Sequence, residues 1–333
     1  MKEAMYYTLR DDGKVRCQLC PHHCIIADGK RGICRVRENR DGVLYSLIYE
    51  MPCAIHTDPI EKKPLYHFLP GSWSMSVGTA GCNLTCMHCQ NWELSTSDPE
   101  KIPCSRLDTD QLVSRTIEEG CASISYTYNE PGINFEYVLE AAGKARKAGL
   151  KNVMVTNGYL EKEPVKELYS LIDAANVDLK GFNDAFYKKI CGARLQPVLD
   201  TLKLLKQLQV WIEITTLVIP GHNDDENEIE QMCKWIVDTL GDEYPLHFSA
   251  FHPTYKMQDV QPTHSDTLRR MKGIAEKAGI KYTYLGNVRD PGITSCPGCQ
   301  EEVISRKMFG TADIKLNNGK CKNCGTTLPG VWS

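Results

Sequence analysis

Ala122-Ser-Ile-Ser-Tyr-Thr-Tyr128, the run Ile133–Ala148 closed by Gly149, and Asn152-Val-Met-Val-Thr156 make one strand–helix–strand unit. The outer pieces are short and apolar and end in turn residues, as buried strands do; the middle piece has the length of a helix. Toward the N-terminus, Ser74–Thr79 reads as a strand. Thr109–Glu119 reads as a helix with Leu112, Val113, Thr116 and Ile117 on one face and Asp108 or Thr109 as its cap. Toward the C-terminus, helices are expected at Glu163–Leu171, Val198–Gln207, Asp225–Leu240 and His264–Ala278. Strands are expected at Ala175–Leu179, Val210–Ile219, Leu246–Ala250 and Lys281–Leu285. Six β/α units and a further strand with short connectors predict an α/β fold, a parallel sheet rolled into a partial (β/α)6 TIM-like barrel. Such folds gather their active groups at the carboxyl ends of the strands.

The flanks differ in composition. Residues 1–50 form a Cys/His/Arg-rich segment in which Asp41-Gly42 suggests a hairpin turn. Residues 51–74 are Pro-rich and read as an irregular connector; 75–290 are the barrel, and 291–333 a Gly- and Cys-punctuated extension. At 333 residues, with 42% hydrophobic and 24% charged, the chain is an ordinary globular one rather than a disordered one. No run approaches the roughly 18 apolar residues of a membrane span, and the start, Met-Lys-Glu-Ala-Met-Tyr-Tyr, lacks the apolar stretch of a secretory signal. Lys+Arg 39 against Asp+Glu 42 gives no general attraction for nucleic acid.

The unusual count is 16 cysteines. Most fall into three tight clusters, whose spacing suits metal chelation better than disulfides. Cys53, Cys104, Cys121, Cys191 and Cys233 are scattered and read as small buried hydrophobes. A reduced, cytoplasmic, metal-rich protein is expected.

In Gly78-Thr-Ala-Gly-Cys82-Asn-Leu-Thr-Cys86-Met-His-Cys89-Gln-Asn-Trp92, directly after a strand, three thiolates share eight residues. Three leave a four-coordinate metal, or one iron of a [4Fe–4S] cluster, free to bind something else. This C-x3-C-x2-C after a first strand resembles the signature of the radical S-adenosylmethionine (SAM) superfamily. Tyr128-Asn129-Glu130-Pro131 resembles its Gly-Gly-Glu-Pro motif, with Tyr-Asn in place of Gly-Gly. Thr156-Asn157-Gly158, Asp178-Leu179-Lys180, Val218–Asp224 and Phe251-His252-Pro253 resemble strand ends of the glycyl-radical-enzyme activases. With Cys17-x2-Cys20-Pro-His22-x-Cys24 and Gly29-Lys-Arg-Gly32-Ile-Cys34, the pattern is similar to the AmmeMemoRadiSam system radical SAM enzymes.

The resemblance implies a radical SAM barrel in which Cys82, Cys86 and Cys89 hold a [4Fe–4S] cluster that cleaves SAM reductively to a 5′-deoxyadenosyl radical. It implies that Glu130 meets the SAM amino group, that Lys180 offsets its carboxylate and that the backbone at His88 meets adenine. Asn157 and Asp178 would line the SAM pocket, or serve only as turn-formers. The resemblance implies Memo-like and Amme-like proteins as partners; the chemistry itself suggests a flavodoxin or ferredoxin as electron donor. A glycyl-radical-enzyme activase is the alternative within the same chemistry; a zinc-ribbon adaptor on an inert barrel is the remote one.

Two further clusters flank the barrel. Cys296-Pro-Gly-Cys299 and Cys321-Lys-Asn-Cys324 read as the two knuckles of a closed, structural zinc ribbon. Cys17, Cys20, Cys24 and Cys34 suit a second zinc site, with His22 or His23 able to substitute, or an auxiliary Fe–S cluster. The adjacent histidines favour zinc.

Overall fold

The computed structural model describes residues 1–307 and 310–333. Its centre is an eight-stranded sheet of β1 (Ala54–Pro59), β2 (Trp73–Gly78), β3 (Ser123–Tyr126), β4 (Lys151–Thr156), β5 (Ala174–Asp178), β6 (Trp211–Val218), β7 (Leu246–Ala250) and β8 (Thr283–Gly286), paired in that order. From β2 to β8 every pairing is parallel. Six crossover helices join them: α1 (Thr109–Glu118), α2 (Phe135–Lys147), α3 (Lys162–Tyr169), α4 (Leu195–Gln207), α5 (Glu226–Thr239) and α6 (Ser265–Lys277). Among the described residues β1 and β8 do not pair with each other, so the sheet is open.

The strands are buried nearly throughout, as parallel sheets covered by helices must be. Asp108 caps α1 as expected: its carboxylate accepts from the Gln111 N–H, and the Gln111 side chain accepts from the Asp108 N–H. The register aligns the carboxyl ends. Val77 stands opposite Tyr126, Thr156 opposite Val177 and Val218 opposite Ala250. Gly78, Thr127, Asn157 and Leu179 therefore leave the sheet at one edge.

The expected connector, 51–74, holds a strand instead: β1 runs antiparallel to β2 along six residue pairs. Its prolines lie at the two ends, Pro52 before it and Pro59 at its last position, where an edge strand tolerates them. The Asp41-Gly42 hairpin is present, pairing Arg37–Arg40 with Val43–Ser46.

A second correction concerns two scattered cysteines. Cys53 and Cys104 are joined in a disulfide between partly exposed positions rather than buried apart. Cys121, Cys191 and Cys233 are buried thiols, as expected.

The C-terminal extension folds as a three-stranded antiparallel sheet and a short two-stranded ribbon. It docks under the barrel where Val331 pairs with Phe68 and the Arg306 guanidinium lies 4.1 Å from the centre of the Tyr66 ring. Among the described residues no helix is long and apolar enough to cross a membrane.

Candidate functional site

β2 ends at Gly78, and the chain enters a loop too crowded for side chains at its two glycines. A Cβ on Gly78 would lie 2.8 Å from the Tyr128 ring and 3.0 Å from the Thr127 carbonyl oxygen. Gly81 has φ +84°, and a Cβ there would run into the Cys34 carbonyl oxygen and sit 2.6 Å from Val36 Cγ1. The loop is thus pressed between the β3 end and the N-terminal segment. Gly81→Ala is expected to destabilise the protein by at least about 2 kcal/mol, from left-handed strain plus overpacking. Denaturant unfolding, with m unchanged, checks it.

Asn129 clamps the loop from the other side. Its Nδ2 donates to the Gly81 carbonyl (2.8 Å) and to Thr79 Oγ1 (3.1 Å), and its Oδ1 accepts from the Thr79 N–H (3.1 Å). The residue before it, Tyr128, has φ +72°, the conformation glycine favours. Gly192 and Cys191 brace the loop's far end, where Thr85 and Met87 donate their N–H groups to the Cys191 and Ile190 carbonyls at 2.9 Å.

All the candidate residues at the strand ends line one cavity of about 460 Å³: Cys82, Cys86, Cys89, His88, Glu130, Asn157, Asp178 and Lys180. Glu130 is buried. Its two oxygens accept from the N–H groups of Gly132 and Asn157, both at 2.8 Å, and from the Thr156 hydroxyl. Burial lifts its pKa to about 7 against those donors, and Asp178 adds to the rise. Lys180 Nζ lies 2.8 Å from Asp178 Oδ2. Burial alone would discharge this ammonium, but Asp178, with Cys86 and Cys191, holds its pKa well above the ordinary lysine value. His88 is buried, its Nδ1 has no partner, and burial with the Lys180 charge pushes its pKa down to about 3, so the ring is neutral.

Asn157 is committed within the protein. Its amide donates to Asn83 Oδ1 (2.9 Å) and faces Cys82 Sγ (3.7 Å), which ties the β4 end to the cysteine loop. The sequence reading missed Cys191 as a neighbour of the site: its sulfur, Cys86 Sγ and a His88 ring nitrogen lie within 4.8 Å of one another. It also missed Asp58, Lys62 and Lys63 from the segment read as a connector. Lys63, itself buried, pairs with Asp58 at 2.6 Å, and Asp58 accepts from the Tyr128 hydroxyl at 2.7 Å. Only the long-range β1–β2 pairing brings these groups to the cavity. The space continues past Lys62, Pro64, Thr215, Ser249 and Asn287 into a second cavity bordered by Arg289 and Arg306.

The C-terminal set is brought together as expected: the Cys296, Cys299, Cys321 and Cys324 sulfurs lie within 4.8 Å of one another, with 3.5 Å between Cys296 and Cys324. Cys17, Cys20, Cys24 and Cys34 surround a small separate cavity at wider spacing. Of the two histidines expected as possible ligands, His22 lines this cavity with its Nε2 against the Asn83 carbonyl, and His23 is engaged by Glu161.

Comparison with known proteins bears on this geometry. Residues 76–236 match the Radical SAM superfamily. An uncharacterized protein of Methanocaldococcus jannaschii is 46% identical over 98% of this chain and 99% of its own. The pyruvate formate-lyase 1-activating enzyme of Escherichia coli K12 is 25% identical over 61% of this chain and 89% of its own. Among solved structures, Streptococcus suis SuiB bound to S-adenosylmethionine superposes with a TM-score of 0.52 at 14% identity, over 69% of this chain and 53% of that one. That is a likeness of fold.

Proposed function

Since the chain belongs to the Radical SAM superfamily, we propose that Cys82, Cys86 and Cys89 hold a [4Fe–4S] cluster with one iron left to SAM, and that the protein generates a 5′-deoxyadenosyl radical to take hydrogen from a substrate. The observation that carries this reading is the shared cavity: three thiols, a buried carboxylate, a partly buried ammonium and a neutral imidazole converge at the carboxyl ends of four successive strands. The donor set fits the group. The three thiols are soft ligands of the kind clusters take. The cavity wall also carries buried polar atoms with no protein partner, His88 Nδ1, Asn176 Oδ1 and Thr215 Oγ1, as the wall of a polar ligand site would. Bound and reduced, such a cluster supplies the electron for SAM cleavage.

The chain's own groups then divide the work. Glu130 accepts from the SAM amino group. Lys180, its charge fixed by Asp178, faces the carboxylate end. His88, neutral and buried, packs at the adenine side. Asn157 and Asn129 position: the first holds Cys82 to β4, the second fixes Thr79 and Gly81. The sheet and its edge strand keep water and stray hydrogen donors from the carbon that would carry the radical. The cavity's continuation past Lys62 and Thr215 gives a substrate room beyond SAM. The N-terminal motif supports the narrower reading, an AmmeMemoRadiSam-type enzyme working with Memo-like and Amme-like proteins and a flavodoxin or ferredoxin donor.

The test is anaerobic reconstitution with iron and sulfide, then dithionite and SAM: 5′-deoxyadenosine is the expected product, and its absence from a cluster-loaded protein defeats the reading. A second reading, glycyl-radical-enzyme activase, draws on the likeness to the E. coli activating enzyme. A glycyl radical detected by electron paramagnetic resonance (EPR) on a co-expressed partner would favour it.

We propose zinc for the C-terminal site, because four thiolates on one tetrahedral ion at about 2.3 Å stand roughly 3.8 Å apart, and Cys299 and Cys321 are 3.8 Å apart here. Elemental analysis is expected to give about one zinc per chain, retained when the Cys82 loop is mutated and lost in Cys296→Ser.

A further inference from the structure

Span separates the N-terminal sulfurs from the C-terminal ones. Zinc draws its thiolates to within about 4 Å of each other, and the C-terminal four are already that compact. No three of the Cys17, Cys20, Cys24 and Cys34 sulfurs form a group within 4.8 Å of one another, yet all four line a single small cavity. Cys82, Cys86 and Cys89 behave the same way, lining one cavity without closing on a single point. His22 lines this cavity, but its Nε2 and both ring nitrogens of His23 are bonded to other groups. His22 Nε2 is 2.7 Å from the Asn83 carbonyl oxygen; His23 Nε2 is 2.6 Å from Glu161 and its Nδ1 3.1 Å from Arg16. Arg37 is buried at the cavity wall, its charge already balanced by Glu136.

We propose that Cys17, Cys20, Cys24 and Cys34 hold a second, fully thiolate-ligated [4Fe–4S] cluster. A cubane spreads its four cysteines over a larger volume than a single ion does, and its complete ligation leaves no iron for a substrate. Asn83 lines this cavity and is the residue after Cys82, so the N-terminal and Cys82 sites are separated by one side chain and its backbone. The assignment is independent of the SAM chemistry.

The test uses the full chain, reconstituted anaerobically, with iron, sulfide and zinc counted. The triple variant C82A/C86A/C89A is expected to keep about four irons per chain, half the wild-type content, and a [4Fe–4S] EPR signal on reduction. Its zinc is expected to stay near one. A triple variant free of iron, whether zinc rises to two or stays at one, overturns the proposal. If that variant does not fold, Cys20→Ser in the otherwise wild-type chain decides. Loss of iron or a changed EPR signal with zinc unchanged supports the second cluster; unchanged iron overturns it.

Discussion

Replacing Cys82, Cys86 or Cys89 with alanine is expected to abolish 5′-deoxyadenosine formation, a loss of at least about a thousandfold. Three thiolates are the minimum that still leaves one iron open, so removing one leaves no alternative arrangement that both holds the cluster and exposes an iron. Among the described residues Cys191 is a further thiol close to Cys86 and a His88 nitrogen, so the double variant Cys86→Ala/Cys191→Ala is the control for its standing in. Single-turnover product analysis together with iron content checks the prediction. An alanine variant that keeps full activity defeats the ligand assignment for that position.

Glu130→Gln is expected to weaken SAM binding by about 10- to 100-fold, the worth of a hydrogen bond to a buried charge. The pH dependence gives a sharper signature. Glu130 titrates near 7 in the folded protein, up from 4.5, because burial disfavours its charge. An acid raised in this way opposes folding once it ionises: below about pH 4.5 the group costs nothing, and as pH rises through about 7 the protein loses up to about 3 kcal/mol. The SAM amino group gives the carboxylate a partner. Affinity for SAM should therefore rise between about pH 6 and pH 8, and the Gln variant should lose the Glu130 share of that rise. Calorimetric titration of reconstituted protein across this range measures both; a Gln variant whose affinity and pH profile match the wild type removes Glu130 from the site.

The core of the fold could be read from the sequence because each strand and helix between 73 and 286 carries its own local signal. Boundaries slipped where a single residue broke the pattern. The β3 strand stops at Tyr126, not Tyr128, because the chain turns into the left-handed region there. The α4 helix begins at Leu195 rather than at Val198, with Pro197 in its first turn, where a proline costs no hydrogen bond. The Cys82 loop, Glu130 and Lys180 were legible because their motifs sit at strand ends. Lys63 and Asp58 were not, because a buried ion pair between an edge strand and the turn after it leaves no mark in a Pro-rich stretch. The Cys53–Cys104 bond escaped for a similar reason: 51 residues of separation offer no spacing to read.

That bond encloses β2 and the whole Cys82 loop in a covalent ring. Closing a ring of that size removes about 4 kcal/mol worth of freedom from the unfolded chain. The three thiols therefore sit on a closed loop whether or not a metal is present, and reducing the bond is expected to lower the stability of the metal-free protein.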